Sequence, residues 1–312
     1  MEKPTFDPGL TQQYTGVLKR AINAEGGFNV RRVGMTWRDF HPYLYLTTAP
    51  WVIFLGVILT LYVVLNTVFA GIYLAIGTED LKGADLSSTS AKFVSAFFFS
   101  ANTLTTLGYG NVYPHGVLTN AVASSEALVG LMVLALATGL FFGRFSRPSA
   151  RIGFSEKMLI APYLDGSSLQ FRIVNRRRNN LIDLEARVLL MTVEFVGDRL
   201  QRRFANLTLE RDGILFFPLT WTIVHPIDEN SPLRGKTQED LKEKQVEFLI
   251  LIKGWDDAFA QTVHARHSYR FDEIEWGAKF APAFTVDSGG GLRVQVNKVG
   301  KTERAPIAGA LT

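Results

Sequence analysis

The sequence predicts a membrane protein of mixed α and β class: two transmembrane helices flanking a re-entrant half-helix, then a β-sandwich. Three observations predict it. Nearly all long apolar runs lie before Arg144, and most of the charge lies after it. A short apolar segment ending in alternate glycines, Gly108 and Gly110, sits between two runs long enough to cross a bilayer. From Ile152 onward the pattern changes to short β-rich runs separated by turn residues.

A chain of 312 residues is expected to form two domains. The hydrophobic share of 47% and the mean hydropathy of +0.12 average over the asymmetry between the halves. There is no cysteine, which excludes a disulfide scaffold and a thiolate metal site. The net charge is +4, and the basic residues of the N-terminal arm lack interleaved aromatics. A phospholipid surface accounts for that charge, and no nucleic-acid partner is expected. Met1 to Asp39 is polar and lacks an apolar core, so no secretory signal is read there.

Residues 1–36 read as a polar, mobile arm. Residues 37–47 mix Trp37, Phe40, Tyr43 and Tyr45 with charge, as a short helix lying at the membrane interface does; an ordinary loop is the competing assignment. Pro42 suits an early helical turn. Residues 48–148 form the membrane unit. Ala49 to Gly77 carries no charge and makes the first span. Glu79, Asp80, Lys82 and Asp85 make a polar outer loop. Phe93 to Leu104 is apolar but too short to cross, so it reads as a half-helix whose C-terminal dipole faces a cation path. Val117 to Phe145 makes the second span, with Gly130 and Gly139 allowing bending or close approach. Lys19, Arg20, Arg31, Arg32 and Arg38 precede the first span; Arg144, Arg147 and Arg151 follow the second. Both termini are therefore expected in the cytoplasm.

Residues 149–312 make the second domain. Leu169–Val174, Ala186–Val193, Glu247–Ile252 and Ala260–Arg266 read as strands, with turns at Asp165-Gly166 and Asp212-Gly213, and suggest a β-sandwich. Lys236 to Lys244 reads as a short helix capped by Thr237, with Asp240 as the acid of its capping box. Ser288–Gly291 reads as a turn, and the end from Asn297 as a loose tail.

Between the spans lies Thr103-Leu-Thr-Thr-Leu-Gly-Tyr-Gly110. Alternate glycines permit φ values closed to other residues, so successive carbonyls can point to one side. Four copies around an axis would stack oxygen rings that replace the water shell of a potassium ion. The run resembles the potassium-channel selectivity filter, usually T-x-x-T-V-G-Y-G, with Leu107 where valine or isoleucine is more common. The order of elements, with Trp37-Arg-Asp39, Arg144-Phe-Ser-Arg-Pro148, His225-Pro-Ile-Asp-Glu-Asn-Ser-Pro-Leu233, His264-Ala-Arg-His-Ser-Tyr269, Asp272-Glu-Ile274 and Trp276-Gly277, resembles the prokaryotic inward-rectifier potassium channels, the KirBac family. The resemblance runs from about Trp37 to Phe284.

The resemblance implies a two-transmembrane-helix potassium-channel pore followed by a cytoplasmic immunoglobulin-like β-sandwich. It implies a homotetramer in a bacterial inner membrane, with passive K+ flow and no cofactor beyond the permeant ion. Thr106, Leu107, Gly108, Tyr109 and Gly110 would form the filter, with K+ held at Thr106 to Tyr109. Phe142 would narrow the helix-bundle crossing, unless it faces lipid as Phe141 or Phe145 does. Leu134 matches a position where strongly rectifying relatives carry an acid, and is either pore-lining or ordinary packing. Asn102 stands where animal relatives often have an acid, so one member of a filter-bracing ion pair is replaced. Ala258 to Val263 would contain a narrow apical loop, with Ala260 as a second gate.

Other residues carry readings of their own. Glu126 is an intramembrane carboxylate that either braces the filter from behind or lies shallow enough to meet water. Asp256 and Asp257 form an acidic ring that concentrates cations or a solvated turn. Arg38, Arg147, Arg151 and Lys157 suit anionic phospholipid heads, although positive-inside topology explains part of that charge. His264 and His267 fall on opposite faces of a strand, so a metal pair is rejected. A weakly selective cation channel and a membrane-anchored sensor or binding protein are the rival functions. The sequence offers no nucleophile–base pair, phosphate loop or metal cluster of an enzyme.

Overall fold

The computed structural model describes residues 8–10, 13–14, 20–23, 26–147, 150–196 and 199–307. Lys19, Pro148 and the end of the tail at 308–312 lie outside the described residues. The chain divides into two units, Gly34–Arg147 and Met1–Val33 with Pro148–Thr312.

In the first unit the expected interfacial helix is broken. A 3-10 turn covers Trp37–Asp39, and helix α1 starts afresh at Pro42–Thr48. Proline disfavours helical backbone in the residue before it, and His41 is extended (φ −106°, ψ 98°). The Asp39 carboxylate accepts from the Thr36 amide at 2.7 Å and hydroxyl at 3.0 Å. Those bonds hold its pKa below the usual carboxylate value.

Helix α2 covers Trp51–Ile76, α3 Thr89–Leu104 and α4 Val117–Phe145. At 1.5 Å per residue, α2 and α4 reach about 39 and 43 Å, enough to cross a hydrocarbon core of about 30 Å. Helix α3 reaches about 24 Å and stops short. It begins four residues before the expected Phe93, because the Ser88 hydroxyl accepts from the Ala91 amide at 3.1 Å and caps its first turn. Tyr73, Phe99, Ala70, Ala96 and Ala123 form the core between the three helices. At the other end, Phe54 meets Phe141 edge-on at 5.0 Å.

The second unit is a two-sheet sandwich. One sheet runs in the order 13–14, 199–206, 181–196, 247–256, 261–270, all antiparallel, with 213–216 also paired to 181–196. The other runs 220–226, 166–175, 158–163, 274–276, with 152–154 also on 166–175; the pair 274–276 with 158–163 is parallel. Alternate residues of the strand Glu247–Asp256, such as Phe248, Ile250 and Ile252, face a core shared with Met158, Phe171, Ile173, Leu184 and Tyr269. Helix α5 (Gln238–Glu243) has the expected cap: the Thr237 hydroxyl accepts from the Asp240 amide, and the Asp240 carboxylate accepts from the Thr237 amide.

Two expectations for the chain ends are corrected. The arm 1–36 is docked, in part, on the sandwich. Gln13–Tyr14 extends the first sheet, and Ile22 is buried. Arg20 pairs with Glu273 at 2.9 Å and donates to the Ser268 hydroxyl and carbonyl. In the tail from Asn297, Val299 is buried and Thr302–Arg304 pairs with Ala278–Phe280.

Candidate functional site

The C-terminal end of α3 passes directly into the segment Thr105–Gly110. The Thr106 amide donates to the Thr103 carbonyl at 3.0 Å. The Leu107 and Gly108 amides both donate to the Asn102 carbonyl, at 2.9 and 3.3 Å. The helix end is thus closed by the amides of the segment it precedes. Along that segment Thr106, Gly108 and Gly110 have φ of 60°, 56° and 80°, whereas Leu107 and Tyr109 do not enter the left-handed region. This alternation cancels the pleat that would send successive carbonyls to opposite sides. Among the described residues, no hydrogen bond is donated to the carbonyls of 106–109. All five residues from Thr106 to Gly110 are exposed in the protomer.

Behind this segment, Glu126 on α4 is 0% exposed. Its carboxyl meets the Tyr73 hydroxyl of α2 at 2.6 Å and the Ser100 hydroxyl of α3. The expected reading that Glu126 lies shallow enough to meet water is corrected: three helices enclose it. Its contacts reach the half-helix rather than the segment itself. Asn102, by contrast, meets the segment directly, through its backbone carbonyl. Further along α4, Gly130 lies against the Leu104 carbonyl, where a Cβ would overlap it.

Leu134 and Phe142 are eight residues apart on α4, on one face, and are 60% and 72% exposed. Phe141 and Phe145 instead pack on α2, at 6.4 and 5.3 Å from the Trp51 ring. Phe142 thus points away from the side of α4 that meets α2.

In the β unit, the Asp256 reading is corrected. Asp256 is 0% exposed and accepts from the Asn179 side chain at 2.6 Å and the Ala258 amide at 3.1 Å. It ties down a turn and is not available to passing cations. Asp257 is exposed and accepts from Asn180 at 3.0 Å. Within Ala258–Val263 the turn occupies only the first residues, since Gln261, Thr262 and Val263 pair with Asp256, Trp255 and Gly254. Ala260 closes the turn with φ 49° and is exposed. His267 stacks on Phe154 at 4.6 Å. Arg38, Arg147, Arg151 and Lys157 are exposed, with Lys157 3.7 Å from Glu275.

Comparison with known proteins decides what this arrangement belongs to. Residues 52–147 match a family described as "Ion channel", and residues 152–310 match "Inward rectifier potassium channel C-terminal domain". The chain is 41% identical over 271 residues to Inward rectifier potassium channel Kirbac3.1 of Paramagnetospirillum magnetotacticum, covering 86% of this chain and 90% of that protein. The chain belongs to the inward-rectifier potassium channel family. Human G protein-activated inward rectifier potassium channel 4 is 30% identical over 210 residues, covering 63% of this chain and 49% of its own length. Human Inward rectifier potassium channel 4 is 32% identical over 206 residues, covering 61% and 45%. The chain thus spans about half the length of these human relatives. As a member of this potassium-channel family it is a membrane protein and not an enzyme.

Three residues of this inward-rectifier channel are silent in the sequence reading. Asn66 and Tyr73 are seven apart on α2, and Ser100 stands between apolar neighbours on α3. A polar residue inside an otherwise apolar run was the available signal in each case. Arg144 carries more than the basic flank read from the sequence: its guanidinium lies over the Trp51 ring, 4.3 Å from the centroid.

Proposed function

We propose that four copies assemble around one axis in a bacterial inner membrane, both termini in the cytoplasm, and conduct K+ passively. The left-handed alternation at Thr106, Gly108 and Gly110 carries this reading. It leaves the carbonyls of Thr106, Leu107, Gly108 and Tyr109 unspent, and four such strands supply oxygen rings in place of hydration. Gly110 lets the chain leave the filter. Glu126 and the Asn102 carbonyl support it from α4 and α3. Phe142 and Leu134 line the inner passage, with Phe142 the narrower ring, and Ala260 forms a second gate in the β unit. With Asp256 occupied in its turn, Asp257 is the acid left to attract cations there. Arg38 and Arg147 in the pore unit, and Arg151 and Lys157 in the β unit, engage anionic phospholipid heads, each contributing about 1 kcal/mol near the surface.

Rubidium uptake into liposomes holding the full-length protein tests the proposal. The expected result is uptake that barium stops and sodium does not compete away. Equal competition by sodium would replace potassium selectivity with weak cation selectivity traceable to Leu107. Absence of uptake across neutral and anionic lipid compositions would overturn the channel reading in favour of a membrane-anchored sensor.

A further inference from the structure

We infer that Glu126 carries a proton in the folded channel, and that this proton completes a directed hydrogen-bond chain clasping α3, the pore helix of the proposed channel, to both spans. Asn66, Tyr73, Ser100 and Glu126 are all fully buried. The Asn66 side-chain amide donates to the Tyr62 carbonyl at 2.7 Å. The Ser100 hydroxyl lies 2.9 Å from the Asn66 side-chain oxygen and also meets Glu126 Oε1. The Tyr73 hydroxyl donates to Glu126 Oε2 at 2.6 Å.

Counting protons decides the state. A serine hydroxyl has one proton, and an ionised carboxylate or an amide oxygen can only accept. With Glu126 ionised, Ser100 has two acceptors and one proton, so one of its two contacts sets lone pair against lone pair. Turning the Asn66 amide over does not help: its oxygen would then face the Tyr62 carbonyl at the present 2.7 Å. A proton on Glu126 Oε1 resolves every contact. Glu126 donates to Ser100, Ser100 donates to Asn66, Asn66 donates to Tyr62, and Tyr73 donates to Glu126 Oε2.

The surroundings agree. Tyr73 from α2 is the one titratable side chain bonded to Glu126 among the described residues; Asn66 and Ser100 are neutral. No lysine, arginine or histidine forms an ion pair with Glu126 among the described residues. A lone buried carboxylate without a counter-charge is costly, and neutralisation removes that cost.

The consequence rests on the filter reading above. Ser100 stands six residues before Thr106, and Gly130 stands one turn beyond Glu126 against Leu104. The clasp and the glycine contact together fix where the pore helix ends. Glu126 is therefore a positioning residue.

Infrared spectra of the full-length channel in lipid, wild type and E126Q, test this at neutral pH. The expected wild-type spectrum has the carbonyl stretch of a protonated carboxylic acid, and E126Q loses it entirely. Wild-type protein carrying 13C in its glutamate carboxyls must shift the same band, which keeps the test valid should E126Q fail to assemble. A wild-type spectrum without that band overturns the proposal. Rubidium uptake provides the second arm. E126Q, whose amide can still donate to Ser100 and accept from Tyr73, is expected to conduct; an assembled E126Q that bears the loss of the band but conducts nothing overturns the positioning role. The infrared arm needs no conduction, so its failure is separable from failure of the channel reading.

Discussion

The guanidinium of Arg144 donates to the backbone carbonyl of Leu46 at 2.8 Å. It donates to the Ala49 carbonyl as well. Leu46 lies in the last turn of α1, where carbonyls lack an intrahelical partner, so the end of α4 supplies the missing donors. Replacing Arg144 by alanine leaves those carbonyls without it and removes the cation from the Trp51 ring. Hydrogen bonds to a charged group contribute about 1.5–3 kcal/mol each, and R144A should melt well below wild type in a thermal denaturation series. R144K should fall between them, since an ammonium cannot reproduce the forked geometry. Equal melting of all three proteins would remove Arg144 from this role.

Gly130 and Gly139 sit on the same helix but should respond oppositely to alanine. At Gly130 the new Cβ overlaps the Leu104 carbonyl, at the point where α3 hands over to the proposed filter. G130A should abolish rubidium uptake. At Gly139 nothing lies within 4 Å, and alanine is favoured over glycine in a helix by about 1 kcal/mol. G139A should assemble normally and melt no lower than wild type.

Gly108 has open space around it in the protomer, so its requirement is conformational and not steric. Holding an L-residue at φ 56° costs roughly 1–2 kcal/mol. G108A should relax the alternation and turn a carbonyl away from the proposed ion path. Sodium competition against rubidium uptake is the readout: undiminished discrimination in an assembled G108A protein would argue against the carbonyl rings.

His225 anchors the loop that follows its strand. Its Nδ1–H donates to the Thr208 carbonyl at 2.6 Å, and Nε2 accepts from the Ser231 hydroxyl at 2.8 Å. Burial pushes its pKa below the ordinary 6.5, so the folded ring is neutral. The unfolded chain then binds more protons than the native one as pH falls below 6.5, and stability declines in that direction. It is fully present above 6.5. Thermal melts across this range should show an acid-side loss that H225N lacks; parallel curves for the two proteins would contradict it.

What the sequence made legible was local. A charge-free run states its own ability to span, Thr237 and Asp240 are three apart and cap each other, and the Gly-Tyr-Gly run states its backbone needs without a partner. What it hid depends on distant residues. Asp256 reads as a free acid beside Asp257 until Asn179, 77 positions away, is seen to take its carboxylate. Glu126 draws its partners from 26 and 53 positions away. The docking of Arg20 on Ser268 and Glu273 spans some 250 residues, and no window of local pattern carries it. The break at His41 was written in Pro42, but the surrounding aromatic spacing masked it.

The filter strand of one protomer offers only one quarter of each oxygen ring in the proposed tetramer. A single chain has carbonyls but no cage, so affinity for the ion exists solely in the assembled state. A ligand that binds one state alone stabilises it, by about 2.7 kcal/mol when present at a hundred times its dissociation constant. In that proposed assembly potassium is a keystone as well as a cargo: the ion that would pass through the ring would also hold its four segments together, and starving the channel of it would loosen the joint between subunits.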